Sequence, residues 1–250
     1  MLKYRPMETQ NRAEALYKDY WQGSTEEREK RAYYERLYRH IKPRLQVQEG
    51  WRILDVAGGN GHFMRYMEIK NARLLDISQS GLEEARKSGF ETIFGDIERR
   101  FPIEENSYDA VFLFEVLEHL YKPNKTLAEI HNILKPGGIL YVGQPNMRAD
   151  GVYHVRRYYL NELLNDVEKT GFKVEWIDYV PAYTMREAIL SDIKRNPSFL
   201  RKLIQCVNLT LSFLPWRVRY QLAKWIPNRF GLLFVLKLTK PVDKTAEPHG

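Results

Sequence analysis

Short apolar runs and longer stretches of helical spacing alternate through the middle of this chain. The runs fall at about 52–56, 72–76, 91–94, 109–114 and 139–143, each the length of a buried strand. Strands that alternate with helices predict an α/β protein built on a doubly wound parallel sheet. Gly171-Phe172 introduces a sixth strand over Lys173–Tyr179, and Gly231–Leu238 is one more apolar run. About 50 residues separate these last two, where a short connection is usual.

The flanks read as helical. Residues 8–45 carry Tyr34, Leu37, Tyr38, Ile41 and Leu45 at helical spacing, with Ser24 and Glu27 as a capping box and Pro43 ending or bending the helix. Tyr17, Tyr20 and Trp21 are either core or lining for a ligand. In the long connection, Leu200, Leu203, Ile204, Val207, Leu211 and Leu214 follow helical spacing. A second helix lies between Pro215 and Pro227. It sets Val218, Leu222, Trp225 and Ile226 on one face and Arg217, Gln221 and Lys224 on another. Such a helix either packs its apolar face on the sheet domain or lies in a membrane interface. The chain thus divides into N-terminal helices over 1–48, a sheet domain over 49–180 and 229–240, and a helical insertion over 181–228.

An open parallel sheet binds ligands beyond the carboxyl ends of its strands, near the point where strand order reverses. Asp55, Asp76, Asp96 and Glu115 all fall at or just past strand ends, so four carboxylates converge on one edge. The first strand runs into Asp55-Val56-Ala57-Gly58-Gly59-Asn60-Gly61, a turn of small residues that lets a ligand approach the backbone. Asp76 follows 21 residues after Asp55, about where a second strand offers a carboxylate to ribose hydroxyls. The loop lacks the Gly-Lys-Ser/Thr of a phosphate-binding loop, and Met64 stands where a dinucleotide fingerprint needs a small residue. An acidic edge suits a cationic sulfonium better than a pyrophosphate.

The glycine turn, Gly95-Asp96-Ile97, the run Tyr108-Asp109-Ala110-Val111 through Val116-Leu117-Glu118-His119, and Leu134-Lys135-Pro136-Gly137-Gly138 occur in that order over about residues 50–146. Together they resemble the motifs of the class I S-adenosylmethionine-dependent methyltransferases. Ala57 stands where the family's first motif has its first glycine; its methyl is either tolerated or shifts the cofactor. The resemblance implies a mostly parallel seven-stranded sheet whose last strand, Gly231–Leu238, runs antiparallel. It implies S-adenosyl-L-methionine as cofactor, S-adenosyl-L-homocysteine as product, and N-terminal helices that lid the site. The cofactor residues it implies are Asp55, Ala57, Gly58, Gly59, Gly61, Asp76, Ile77, Asp96, Ile97, Phe114 and Glu115. The Leu134–Gly138 segment is expected as a turn before the fifth strand. In the branch resembling ubiquinone-biosynthesis O-methyltransferases, the matching E-x-x-E-H holds a divalent cation; elsewhere in the family the same letters only pack. For this chain no metal is expected.

Methyl transfer from a sulfonium asks the protein mainly to position two reactants. A hydroxyl acceptor also needs a base or a metal; a carboxylate acceptor needs neither. His154, after the fifth strand, and His119 are the candidate bases; His131, in a helix behind the sheet, is expected to be structural. Glu115, Glu118 and His119 have the i, i+3, i+4 spacing of one helical face.

Net charge is +7, yet residues 193–240 hold ten Lys/Arg and no Asp or Glu, so the whole excess lies there. That stretch suits an anionic membrane, with 193–228 as the contact, or a phosphate backbone. Phe114-Glu115-Val116-Leu117 after the fourth strand is unlike the N/D-P-P-Y/F run of enzymes that methylate exocyclic base nitrogens. The leading expectation is methylation, at oxygen, of a small-molecule, glycan, quinone-precursor or lipid-linked acceptor, with no obligate protein partner. The alternatives are RNA or tRNA modification and a cofactor-binding protein without catalysis. The single cysteine, Cys206, reads as a buried thiol and fits a reducing compartment. With no signal peptide or long apolar span, a cytoplasmic protein, peripheral to membrane at most, is expected.

Overall fold

The structure, a computed structural model, describes residues 34–35, 37–146, 154–181, 214–225 and 231–242. Helix α1 covers 34–35 and 37–41. There follow β1 (Ile53–Val56), α2 (His62–Met67), β2 (Ala72–Asp76), α3 (Gln79–Lys87), β3 (Glu91–Phe94), β4 (Tyr108–Phe114) and α4 (Pro123–Ile133). The chain continues with β5 (Leu134–Pro145), α5 (Leu160–Lys169), β6 (Lys173–Pro181), α6 (Trp216–Trp225) and β7 (Gly231–Thr239). The seven strands form one sheet in the order β3-β2-β1-β4-β5-β7-β6. All neighbouring pairs run parallel except β7, which is antiparallel to β5 and β6. The expected doubly wound α/β fold is therefore present.

Helices cover both faces, which is why β1 is buried along its whole length. On one face Leu37 and Ile41 of α1, Phe63 and Met64 of α2 and Leu82 of α3 pack with Ile53, Leu74, Phe112 and Tyr141. On the other, Leu127 and Ile130 of α4 and Leu163 and Val167 of α5 pack with Leu54, Val111, Leu113 and Leu140. The Tyr141 hydroxyl accepts from Gln46 N at 3.0 Å and donates to its carbonyl at 3.2 Å, tying the α1–β1 linker to the sheet.

Strand order reverses between β1 and β4, placing the crevice there. The register aligns what faces it. Asp76 lies one rung past the Val56–Leu75 pair, Phe114 pairs with Gly143, Gly143 with Val235 and Val235 with Asp178. Asp76, Phe114, Gly143 and Asp178 thus stand on one rung at the carboxyl edge.

Three expectations are corrected. Leu134–Gly138 opens β5 instead of preceding it: Gly137 N donates to the Lys240 carbonyl at 2.9 Å and Lys240 N to Gly138 O at 3.0 Å. The resulting irregularity is absorbed opposite Tyr108–Ala110 and by Gly137 at φ +79°. Pro43 does end the α-helix, which stops at Ile41 and passes into a 3₁₀ turn over Lys42–Arg44. Glu115 is not on a helical face with Glu118 and His119. Its φ is +55°, its N–H donates to Gly143 O at 2.7 Å, and only a 3₁₀ turn, Leu117–His119, follows. Finally, α6 does not bury Val218 and Trp225; Ala223 is its buried residue. Ser24, Glu27, Tyr17, Tyr20, Trp21, Cys206 and Leu200–Leu211 lie outside the described residues. Among the described residues, no helix is long and apolar enough to cross a membrane.

Candidate functional site

At the β1 end the glycine turn folds back on a carboxylate. Asp76 Oδ2 accepts from Gly59 N at 2.8 Å and Oδ1 from Ser78 N at 2.7 Å. Ser78 Oγ accepts from Gly81 N, capping α3. One side chain thereby joins the turn, the end of β2 and the start of α3. Each of its oxygens still has a lone pair for a ribose hydroxyl. Burial raises the Asp76 pKa against the pull of those N–H groups.

Asp55 lies beneath the turn, buried, and its Oδ2 has no hydrogen-bond partner. Burial first, then the neighbouring Asp76 charge, pushes its pKa well above the usual carboxylate value. A Cβ at Gly58 would come within 2.8 Å of that Oδ2, and one at Gly61 within 3.0 Å of the Phe90 ring. Ala57 itself sits at φ +59°, the left-handed conformation for which glycine is the natural residue. An orphaned buried carboxylate oxygen, a turn with no room for a side chain at Gly58 or Gly61, and an Asp76 with lone pairs to spare fit an adenosyl cofactor carrying positive charge.

The loop after β3, expected at the adenine end, is held by contacts not foreseen from the sequence. Asp96 Oδ1 accepts from Glu98 N at 2.9 Å, and Arg99 pairs with its Oδ2 at 3.5 Å. Thr126 Oγ1 donates to Ile97 O at 2.8 Å, and Lys122 N to Glu98 Oε1 at 2.7 Å. The loop after β3 is thus pinned to α4, with Ile77 and Ile97 half-buried beside it. Phe114 covers Gly143, where a Cβ would overlap the ring, and stacks on Phe63 at 4.5 Å.

Across the crevice, the end of β4 and the segment after β5 meet. Glu118 O accepts from Val155 N at 2.9 Å and Arg156 N at 3.2 Å. Arg156 also donates to the carbonyls of Leu120 and Tyr121. This strap places His154 Nε2 3.9 Å and His119 Nε2 3.7 Å from Glu118 Oε1, with the two rings edge to face at 4.9 Å. Glu118 is 2% exposed and its Oε2 has no partner. Burial, then the charge of Glu115, raises its pKa to about 8. The structure thus brings together the two histidines named from sequence, beside the Glu118 carboxyl. Ligand atoms of Glu118, His119 and His154 lie within 4.8 Å of one another, close enough to surround a cation. His131 stands apart, its ring edge-on to Phe172 at 5.1 Å.

One junction was missed entirely. Asp178, 2% exposed, pairs with Arg44 at 2.8 Å, faces His40 Nε2 at 3.5 Å and accepts from the Tyr220 hydroxyl at 2.6 Å. It joins the N-terminal helix region, β6 and α6. The signal was a lone Asp inside the apolar run Trp176–Val180.

Residues 54–142 match the family model described as a methyltransferase domain. The chain is 30% identical over 110 residues to the ubiquinone/menaquinone biosynthesis C-methyltransferase UbiE of Ruegeria sp. (strain TM1040), covering 39% of this chain and 44% of that protein. It is 31% identical over 106 residues to the ubiquinone biosynthesis O-methyltransferase of Bordetella avium (strain 197N), covering 39% and 44%. The chain thus matches less than half the length of these curated relatives. Among solved structures, the [4+2]-cyclase SpnF superposes with a TM-score of 0.57 at 22% identity, over 83% of this chain and 81% of that one. That likeness is one of fold.

Proposed function

We propose that this chain, whose residues 54–142 match a methyltransferase domain, is a class I S-adenosylmethionine-dependent enzyme that methylates an oxygen of a small acceptor, with His154 as the base. The observation that carries the reading is the Glu118–His119–His154 cluster beyond the ends of β4 and β5, across the crevice from Asp55 and Asp76. A carboxylate acceptor needs no base. Two imidazoles around a buried carboxyl suit a hydroxyl, whose proton must go somewhere as its oxygen is alkylated.

Bound S-adenosyl-L-methionine supplies an electrophilic methyl and leaves as S-adenosyl-L-homocysteine. Asp76 and the turn would hold the ribose end, Asp96 and Ile97 the adenine end, with Phe114 beside them. His154 would take the proton that the acceptor oxygen gives up as it is methylated. Glu118, protonated below about pH 8, then sets no negative charge beside the His154 imidazole; His119 orients the pair. The lone Cys206 fits work in the reducing cytoplasm.

The test is turnover with isotopically labelled cofactor on extract fractions, followed by His154→Ala and His154→Gln. Loss of turnover with cofactor affinity retained supports the base. Unchanged turnover removes it. Activity is expected to survive a chelator; loss restored by magnesium would put a cation in the cluster. A chain that binds cofactor and labels no acceptor would be a binding protein. Label confined to RNA would make it a nucleic-acid enzyme.

A further inference from the structure

Helix α6 has two apolar faces where a surface helix needs one. Its inner face is accounted for. Ala223 is fully buried, Tyr220 donates to Asp178, and Trp216 meets the His40 ring edge-on at 5.2 Å. On the opposite side Val218, Leu222 and Trp225 recur at i, i+4 and i+7 and form a single stripe. Trp225 is 79% and Val218 41% exposed, and Leu222 is half-buried. Arg217 and Lys224, both exposed, lie together along one side of the helix next to the stripe. The helix contains no acidic residue, and neither does the whole stretch 193–240 with its ten Lys/Arg.

We infer that this outer face docks the protein on an anionic lipid surface. Trp225 and the aliphatic pair enter the headgroup boundary while Arg217 and Lys224 meet the lipid phosphates. The occupant follows from the chemistry of the stripe. A phosphodiester backbone would satisfy the cations but leave Val218 and Leu222 with nothing to bury against. A bilayer interface takes aliphatic side chains, an indole and cations from one helix at once. Placement gives the contact a purpose. Tyr220 clamps α6 to Asp178, on the rung that carries Asp76, Phe114 and Gly143. The docked helix therefore stands at the carboxyl edge, where an acceptor anchored in the lipid arrives. That last step rests on the proposed methyl transfer; the docking does not.

The full chain is sedimented with phosphatidylcholine vesicles, with and without phosphatidylglycerol. Binding is expected only to the anionic vesicles, falling about tenfold or more as salt rises from tens to hundreds of millimolar, because the phosphate contacts are screened. Trp225→Ala with Val218→Ser is expected to lower vesicle affinity about tenfold. Unchanged thermal midpoint and cofactor affinity in calorimetry show that fold and crevice survive. Absence of binding to anionic vesicles at low salt overturns the inference. So does equal binding by the double variant, which would mean charge alone, or saturable binding to duplex RNA in place of vesicles. Cofactor binding without turnover would sink the proposed transfer while leaving docking intact.

Discussion

The two ends of the sheet's carboxyl edge hold their buried aspartates in opposite ways. At β1–β2, Asp76 has only backbone N–H groups as partners, Asp55 Oδ2 has none, and burial raises both pKa values. At β6, burial pushes Asp178 up too, but His40, Tyr220 and Arg44 outweigh it and hold its carboxyl below the usual value. The first end is short of positive charge and waits for it; the second is complete in the protein alone. A binding crevice and a structural clasp are thus distinguished by whether a buried charge finds its counter-charge within the chain.

The sharpest way to break this comparison is at Asp76. Asp76→Ala removes the bonds to Gly59 and Ser78 together with two charge-assisted positions for ribose. Cofactor affinity is expected to fall about 100-fold, from roughly 1.5–3 kcal/mol per charged hydrogen bond. Calorimetry showing equal affinity would remove Asp76 from the site. Asp178→Asn should do the reverse. It should leave cofactor affinity within a factor of about two, as for distant sites, while lowering unfolding free energy by about 1–3 kcal/mol in urea titration. Because the folded pKa of Asp178 is depressed, its stabilisation is present above the unfolded pKa and lost as pH falls through the folded one. The two proteins should therefore converge in stability in strong acid. A constant gap at all pH values would mean that shape, and not charge, holds the clasp.

How legible each end was in the sequence follows from how far apart its parts lie. The turn Asp55–Gly61 and the strand-end Asp76 advertise themselves locally, because a tight turn needs small residues in a row and the ribose carboxylate ends the next strand. Asp178 does not, because Arg44 and His40 reach it across more than 130 residues. His154 and Glu118 meet only because backbone bonds strap their segments together. Spacing misassigned Glu115, since a positive φ breaks the helical period that Glu115, Glu118 and His119 suggest. On α6 the periodicity of Val218, Leu222 and Trp225 was real, but a helical wheel does not say which stripe turns inward. The small inner residue Ala223 decided that.

Glu118 tests the same principle with a pH axis. Its folded pKa, about 8, lies far above that of an unfolded Glu. Between those values the native state binds more protons than the unfolded chain, so stability falls as pH rises, by at most about 1.4 kcal/mol per pH unit from this group. Glu118→Gln removes that slope. The variant's thermal midpoint should gain on the parent's steadily from about pH 5 to pH 8. Parallel profiles would mean that Glu118 is ionised and already has a counter-charge, which would make its end of the crevice resemble the Asp178 clasp.

The smallest effect, at Ala57, bears on whether the waiting end is strained as well as charge-poor. Its φ of +59° places a Cβ where L-residues pay in steric contact, and its N–H is committed to Leu75 O at 2.7 Å, so the turn cannot relax by rotating. Ala57→Gly relieves the contact in the folded state but frees the unfolded chain, and the two oppose each other. With relief of roughly 1–2 kcal/mol against about 0.4–1 kcal/mol of added unfolded-state entropy, a net gain of about 0.5–1 kcal/mol in urea midpoint analysis is expected. Cofactor affinity should hold or rise, because the methyl lies on the turn the ligand approaches. If stability falls, the turn accepts alanine without strain, and the departure of Ala57 from glycine carries no cost.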